Sequence, residues 1–550
     1  MKRILHKITH PIKKHDRWAQ NPEDSSVPQQ QPVFNGYPEP PTGHRMIAAP
    51  TANDVLRYRY HHGVNLGSIF VLERWLYPSM FECEGSSVPE GKGSELDAVT
   101  HAVKVLGMDR AKAKFEAHWS SAISDAEFEW LVNVAHVTSI RLPVGYFTLG
   151  AQFCAGTSFE AVAAVYSRSW DAVRNLVARA RSYNIGVLLD LHALPGGANR
   201  DAHSGTSSGK AELWGSIVGK GSNIERANRC VEYLAKEASN MDGVIGLQIV
   251  NEAVWDARGL YGWYEDVLKR INRIDPTLPI YVSDGWDLER ALKWSNGRTG
   301  GNPVVVDTHR YFCFSDKDRS QAPAEILDRV PRELQEIQGK DGSLTSRGEA
   351  QLIVGEYSCV LDGKTWSRIH PEFKDGSFKQ FGQSQSKTWH KRTGGSYFWT
   401  FKMDWMEGGE WGFVEQVKRG NLWIPPNFSL SPRDVSMSLQ VAVDRREELA
   451  ESAERQHAQY WSKAAPNGTF EHARYAEGWE VGYSDAQRFY EARARQRLGS
   501  SVDNGADRIG CLDIWVKKRL GDAAQSGPFA WEWEQGLRAG IKAFQDIVGI

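Results

Sequence analysis

The 550-residue chain has no run approaching about 18 consecutive apolar residues, which excludes a membrane-spanning helix. It has little net charge: 66 Lys and Arg against 68 Asp and Glu leave −2. No field is present to hold a nucleic-acid backbone, and no basic stretch beyond the N-terminus interleaves with aromatics, so nucleic acid is not an expected partner. Cysteine is scarce. The six residues Cys83, Cys154, Cys230, Cys313, Cys359 and Cys511 are widely spaced with no C-x-x-C, which argues against a zinc module or a disulfide framework and for a reducing compartment. Phosphate-cradling patterns are missing too, since Gly196-Gly197 and Gly300-Gly301 fit neither G-x-G-x-x-G nor the P-loop. Residues 1–18 are basic but scattered, with no apolar core behind them, so they do not read as a secretory signal. The expected location is cytoplasmic. The sequons at Asn427 and Asn467 carry little weight without such a signal.

What is present is a 41% hydrophobic chain with 21 Trp, long enough for more than one domain. Residues 1–50 read as an arm, basic first and then rich in Pro, Gln and Ser. The basic stretch offers a peripheral membrane contact or simply a solvated arm. From 51 to 428, eight short apolar runs alternate with amphipathic stretches: 63–72, 139–146, 186–194, 244–253, 279–286, 303–311, 351–358 and 396–402. Helices are expected between them over 125–136, 158–183, 224–240, 262–274, 287–295, 324–338 and 378–392. Eight strands, each returning through a helix, give an α/β fold, a (β/α)8 TIM barrel, ahead of a doubly wound open sheet. Residues 429–550 lose the alternation and repeat near 3.6, which predicts a helical C-terminal extension packed on the barrel through Trp461, Phe470, Trp479, Phe489, Trp515, Trp531 and Trp533.

In nearly every run the polar residues come last: Asp190 and His192, Asn251 and Glu252, Asp284, Asp307 and His309, Glu356, Lys402 and Asp404. Such groups are poorly tolerated in a core but build a site at the C-terminal mouth of a barrel. Glu252 and Glu356 end the fourth and seventh runs and so face each other across that mouth. There one carboxylic acid can protonate a leaving oxygen while the other attacks carbon, as in a retaining glycosidase. Arg141 and Tyr311 beside Glu356 would keep it ionised, and Glu252 is expected to carry a raised pKa. Asn251 can bond a sugar 2-hydroxyl, and Trp399 can stack on a pyranose face. His192, His309 and Glu356 lack the local spacing of a metal motif, so no metal and no cofactor is expected.

These residues resemble glycoside hydrolase family 5 of clan A, in its fungal exo-β-1,3-glucanase branch. The resemblance rests on Gly63-Val-Asn-Leu-Gly67 through Glu73-Arg-Trp75, Arg141-Leu-Pro-Val-Gly-Tyr146, Asp190-Leu-His192 with Pro195-Gly196, Asn251-Glu252, Asp307-Thr-His-Arg-Tyr311, Gly355-Glu356 and Tyr397-Phe-Trp399. It implies Glu252 as acid/base and Glu356 as nucleophile, with Arg141, His192, Asn251, His309, Tyr311 and Trp399 around them. Glu73 would hold the outer hydroxyls of the terminal sugar, and Phe314 would clamp the second. The ending Trp531-Glu-Trp-Glu-Gln-Gly536 resembles that of non-secreted members. Departures are Arg74 and Ala253 where prolines are common, and Arg200-Asp-Ala-His-Ser-Gly205 where secreted members have G-F-D-N-S-G, so that Asp201 replaces a phenylalanine.

The expected activity is release of glucose from the non-reducing end of β-1,3-glucans or oligosaccharides by double displacement, on a β-glucoside or β-glucan substrate. A second reading is an intracellular β-glucosidase for glycolipids such as glucosylceramide or steryl glucoside. A third, of another class, is an inactive glucan-binding barrel.

Overall fold

The computed structural model describes residues 47–215, 221–298, 300–406, 408–495 and 505–550. The expected arm lies outside them except for 47–50.

Eight parallel strands close into a barrel: β1 (His61–Asn65), β2 (Ser139–Gly145), β3 (Gly186–Ala193), β4 (Val244–Gln248), β5 (Ile280–Ser283), β6 (Val304–Phe312), β7 (Gln351–Leu361) and β8 (Gly395–Phe398). The strands pair in order, and β8 closes on β1 with His61 opposite Gly395. Runs such as Val187-Leu188-Leu189 and Val304-Val305-Val306 are buried throughout, as a sheet covered on both faces requires. The fold is thus the barrel rather than the open sheet.

Helices α1 (Ala52–Tyr58), α2 (Glu95–Leu106), α3 (Met108–Ser121), α4 (Asp125–Asn133), α5 (Ser169–Ser182), α6 (Asn223–Asn240), α7 (Leu260–Asn272), α8 (Leu288–Asn296), α9 (Pro323–Arg329) and α10 (Lys374–Arg392) surround or flank it. Local chemistry sets several of their starts: Ser124 and Glu127 form a capping box on α4, and Ser222 caps α6. In α6 the buried Ala227, Val231, Leu234, Ala235 and Ala238 form one stripe. The structure differs from expectation in places. Helices α2 and α3 lie in the connection from β1 to β2, which the sequence pattern left unassigned. The helix expected over 158–183 starts as a 3-10 turn, Glu160–Arg168, before α5. That expected over 324–338 ends at Arg329, because Pro331 cannot continue it. The fourth run's strand ends at Gln248, leaving Ile249–Ala253 irregular at the mouth and, except for Glu252, buried.

Among the described residues four helices follow the barrel: α11 (Pro432–Ala464), α12 (His472–Arg495), α13 (Leu512–Asp522) and α14 (Ala530–Val548). They cover the N-terminal ends of the strands, opposite the mouth. Asp513 accepts from Ala350 N at 3.3 Å and donates its own N–H to Gln351 Oε1 at 3.1 Å, and Lys517 pairs with Glu349 at 2.8 Å. Trp479, Trp515 and Trp533 share one core with Leu188, Ile245, Tyr281, Val305, Ile353 and Tyr397 of the strands. Arg59, fully buried, ties the layers by bonding Asp507 at 3.2 Å and the carbonyls of Thr138 and Asn184 at 2.6 Å each. Helices α12 and α14 meet backbone to backbone through G-x-x-x-G on both. A Cβ at Gly482 would lie 2.0 Å from Leu537 O, and one at Gly540 2.1 Å from Trp479 O. Glycine inside a helix costs about 1 kcal/mol, and here it is what allows the contact.

Candidate active site

Arg141 on β2 is fully buried at the centre of the barrel. A buried guanidinium needs every donor bonded and its charge balanced. Its Nε donates to Gln248 at 2.8 Å, Nη1 to Asn65 and Glu356 at 2.9 Å each, and Nη2 to Asn251 at 2.7 Å with Asp190 at 3.0 Å. Burial by itself disfavours the cation, but Asp190, Glu356 and Asp307 more than reverse this and raise its pKa. Arg141 is therefore a fixed positive charge that orders five side chains.

Glu356 on β7 takes Arg141 on Oε1 and the Tyr311 hydroxyl on Oε2 at 2.8 Å. The residue before it must be glycine: a Cβ on Gly355 would lie 2.1 Å from Asp307 Oδ1, the atom that accepts the Gly355 N–H at 2.6 Å. Glu252, just past β4, adopts φ 43°, a left-handed conformation that costs about 1 kcal/mol or more for a side-chain-bearing residue. Its Oε1 lies 2.8 Å from His309 Nδ1 and its Oε2 3.1 Å from His203 Nε2. His309 is held from behind by Asp307 at 3.2 Å. One oxygen of Glu252 and one of Glu356 lie within 4.8 Å of each other. That spacing fits a retaining pair, about 5–5.5 Å apart, and is short of the roughly 6.5–9.5 Å that leaves room for an inverting water.

The proton affinity of Glu252 corrects the expectation. Burial works to raise its pKa, but the hydrogen bonds from His203 and His309 outweigh burial and hold the carboxyl well below its usual range. The imidazoles gain what the carboxyl loses. Burial opposes charge on His203, yet Glu252, Glu73 and Asp201 push it up to about 10. His309 is likewise raised by Glu356 and Asp307 against its burial. The site thus stores its proton on the imidazoles beside Glu252, as a coupled unit.

The other expected residues gather here. His192 bonds Asp190 at 2.7 Å through Nδ1 and meets the Asn251 amide at 3.3 Å. It stacks on Trp399 with centroids 5.9 Å apart. Glu73 accepts from Trp75 Nε1 at 2.8 Å, and burial raises its pKa against the pull of His203 and His192. Phe314 is partly exposed and packs on Tyr311 at 5.4 Å and Trp411 at 6.3 Å. Not every polar strand end converges. Lys402 turns away to Glu127 at 2.6 Å, and Asp404 accepts from Ser79 N at 3.2 Å. Asp284 is spent inside the wall, accepting from Thr308 at 2.6 Å and Trp286 N at 2.9 Å.

Sequence reasoning missed His203, Asn65 and Gln248. The signal for His203 was the loop 200–205, where it stands at the asparagine of the family pattern. Asn65 stood inside the Gly63–Gly67 motif with no role assigned to it, and Gln248 carried no signal, being a single polar residue in an apolar strand. Glu252, His309 and Glu356 offer three donor atoms close together. Arg141, Tyr311 and the imidazole protons already occupy their oxygens, so the donor set does not fit a resident metal.

A closed parallel barrel with two carboxylates facing each other over a buried arginine defines a (β/α)8 glycoside hydrolase. Comparison with known proteins agrees. Residues 99–368 match the cellulase (glycosyl hydrolase family 5) model, and residues 442–548 match that of the glucan 1,3-beta-glucosidase 3 C-terminal domain. The chain is 32% identical over 488 residues to glucan 1,3-beta-glucosidase 3 of Schizosaccharomyces pombe, covering 88% of this chain and 95% of that protein. It is 29% identical over 503 residues to an uncharacterized glycosyl hydrolase of Saccharomyces cerevisiae, covering 89% and 92%. Among solved structures, rutinosidase from Aspergillus niger shares the fold, with TM-score 0.52 and 17% identity over 66% of this chain and 98% of that one. The chain belongs to glycosyl hydrolase family 5 and is an O-glycosyl hydrolase.

Proposed function

We propose that the protein is a retaining β-glucosidase that releases glucose from the non-reducing end of β-1,3-linked glucans or oligosaccharides. The approach of the Glu252 and Glu356 oxygens to within 4.8 Å carries the reading, and the names of the relatives supply the β-1,3 linkage. In the first step a Glu356 oxygen attacks the anomeric carbon as the bond to the glycosidic oxygen breaks. Glu252 delivers a proton to that oxygen, replenished from the imidazoles at its side, and the aglycone leaves. In the second step Glu252 takes a proton from water, the water oxygen attacks the same carbon, and the bond to Glu356 breaks. Two inversions return β-glucose. Arg141 and Tyr311 hold the nucleophile in place while its charge is consumed and restored.

Glycolipid glucosides form the second reading. Asp201 stands exposed where the family pattern has a phenylalanine, while Trp286 and Phe314 leave apolar faces at the rim. Six unpaired, buried cysteines support a cytoplasmic location. The basic N-terminal stretch lies outside the described residues, and no membrane contact is proposed from it. The test is an NMR and chromatographic time course on laminaritriose, cellobiose, glucosylceramide and steryl glucoside in parallel. β-Glucose released from laminaritriose before mutarotation supports the proposal. Turnover confined to the lipids moves the substrate to glycolipid, and binding without turnover moves the protein to the inactive class.

A further inference from the structure

Far from the barrel mouth, three helices bring two imidazoles and a carboxylate together. Glu532, in the first turn of α14, is completely buried. Its Oε2 lies 3.0 Å from His457 Nε2 on α11 and 3.2 Å from His472 Nδ1 at the start of α12. All three atoms fall within 4.8 Å of one another. The other oxygen, Oε1, is fixed by the Glu471 N–H at 2.6 Å. Each ring is held in plane by an aromatic neighbour: His457 stacks on Tyr475 at 3.9 Å and 13°, and His472 on Phe470 at 5.4 Å and 8°.

The charge balance singles this carboxylate out. Its buried acidic neighbours each have an arginine: Asp485 has Arg519 at 2.8 Å, Asp507 has Arg493 at 2.8 Å, and Arg538 serves Asp513 at 2.8 Å and Glu534 at 3.0 Å. Among the described residues Glu532 is paired with no lysine or arginine, only with the two imidazoles. A buried carboxylate calls for a cation or a set of strong donors. A tetrahedral ion with ligands about 2.0–2.1 Å away has edges of about 3.3 Å, close to the two nitrogen-to-oxygen spacings found here.

We propose that His457 Nε2, His472 Nδ1 and Glu532 Oε2 bind one zinc ion that clasps α11, α12 and α14, with water in the fourth position. Each imidazole presents its lone pair to the metal and carries its proton on the other nitrogen. The Glu471 N–H and the stacked rings orient the ligands from outside. The donor set, two nitrogens and one carboxylate oxygen, suits zinc over calcium or magnesium. The site holds the helical extension together and takes no part in glycoside cleavage.

The test uses the full chain, stripped with chelator, dialysed and titrated with zinc chloride alone. Bound metal is read by elemental mass spectrometry after desalting, and stability by the unfolding temperature. Expected are one zinc per chain and an unfolding temperature that rises with zinc and falls back on chelation. His472→Ala, which alters a ring 32% exposed, is expected to fold and to lose more than about a hundredfold in zinc affinity. Glu356→Gln keeps its zinc. Absence of binding overturns the proposal and leaves Glu532 satisfied by the imidazole N–H donors and the Glu471 N–H. Binding that survives His472→Ala overturns it too, as does binding lost in Glu356→Gln, which would move the metal to the barrel mouth.

Discussion

Replacing His203 by asparagine restores the residue of the family pattern and removes an imidazolium 3.1 Å from Glu252 Oε2. Two unit charges about 4 Å apart at an effective dielectric of about 20 interact by about 4 kcal/mol, or about three pH units at roughly 1.36 kcal/mol each. His309 still holds the other oxygen and water enters the vacated space, so about one to two units is the expected effect. In the parent the pair keeps its proton until His203 titrates at about 10. In His203→Asn that store is gone and the Glu252–His309 pair alone carries the transferable proton. The basic limb of kcat/KM therefore moves down by about one to two units, read from initial rates on an aryl β-glucoside across pH. Stability responds as well. His203 is raised from 6.5 and Glu252 lowered from 4.5, so the pair contributes fully between about pH 4.5 and 6.5. The contribution is lost as pH rises through about 10 and as it falls below the carboxyl range. The gap in unfolding temperature between parent and variant should narrow on both sides of that window. A pH profile that keeps its limbs while kcat/KM falls uniformly would refute the reasoning and make His203 a packing residue.

Glu356→Ala should lose about four orders of magnitude or more in kcat, and azide entering the vacated face should yield α-glucosyl azide; the β-anomer would reverse the two roles. Glu252→Ala should retain more activity on aryl glucosides with good leaving groups than on laminaritriose, and azide should give the β-anomer, both checked by chromatography and NMR. Gly482→Ala forces a Cβ to 2.0 Å from the Leu537 carbonyl and should cost about 3 kcal/mol in urea unfolding; a neutral effect would mean that α12 and α14 can part freely. Arg59→Met takes one of its two arginines from Asp507, leaving Arg493, and strands the Thr138 and Asn184 carbonyls on the face opposite the mouth; it should cost about 3 kcal/mol with kcat unchanged at low temperature. A kcat defect without loss of stability would show that the extension acts on the site.

The barrel was legible in the sequence because strand and helix periodicity are local. Apolar runs of seven to ten residues with polar ends mark where each strand stops, and Ser124 with Glu127 marks where a helix starts. The two glutamates were legible for the same reason: in a parallel barrel all strand ends share one mouth, so residues 252 and 356 meet without any knowledge of packing. Tertiary structure decided what depends on register and on loops that cross the mouth. Gln248, Asn65 and Arg141 come from three strands, and only their registry makes one buried network. His203 reaches Glu252 from a loop after β3, and that contact decides which group holds the proton, against the direction inferred from burial alone. Lys402 and Asp404 looked like site residues and bond Glu127 and Ser79 instead, both lying beyond the end of β8 at Phe398. The placement of the extension beneath the barrel also needed the fold. Glycines at 478, 482, 536 and 540 count against helix in a propensity sum, and become the reason two helices touch only when both are seen at once. Sequence fixes local periodicity and termini, while the pairing of groups some 50 to 450 residues apart belongs to the packed molecule, where desolvation makes each buried charge depend on its neighbours.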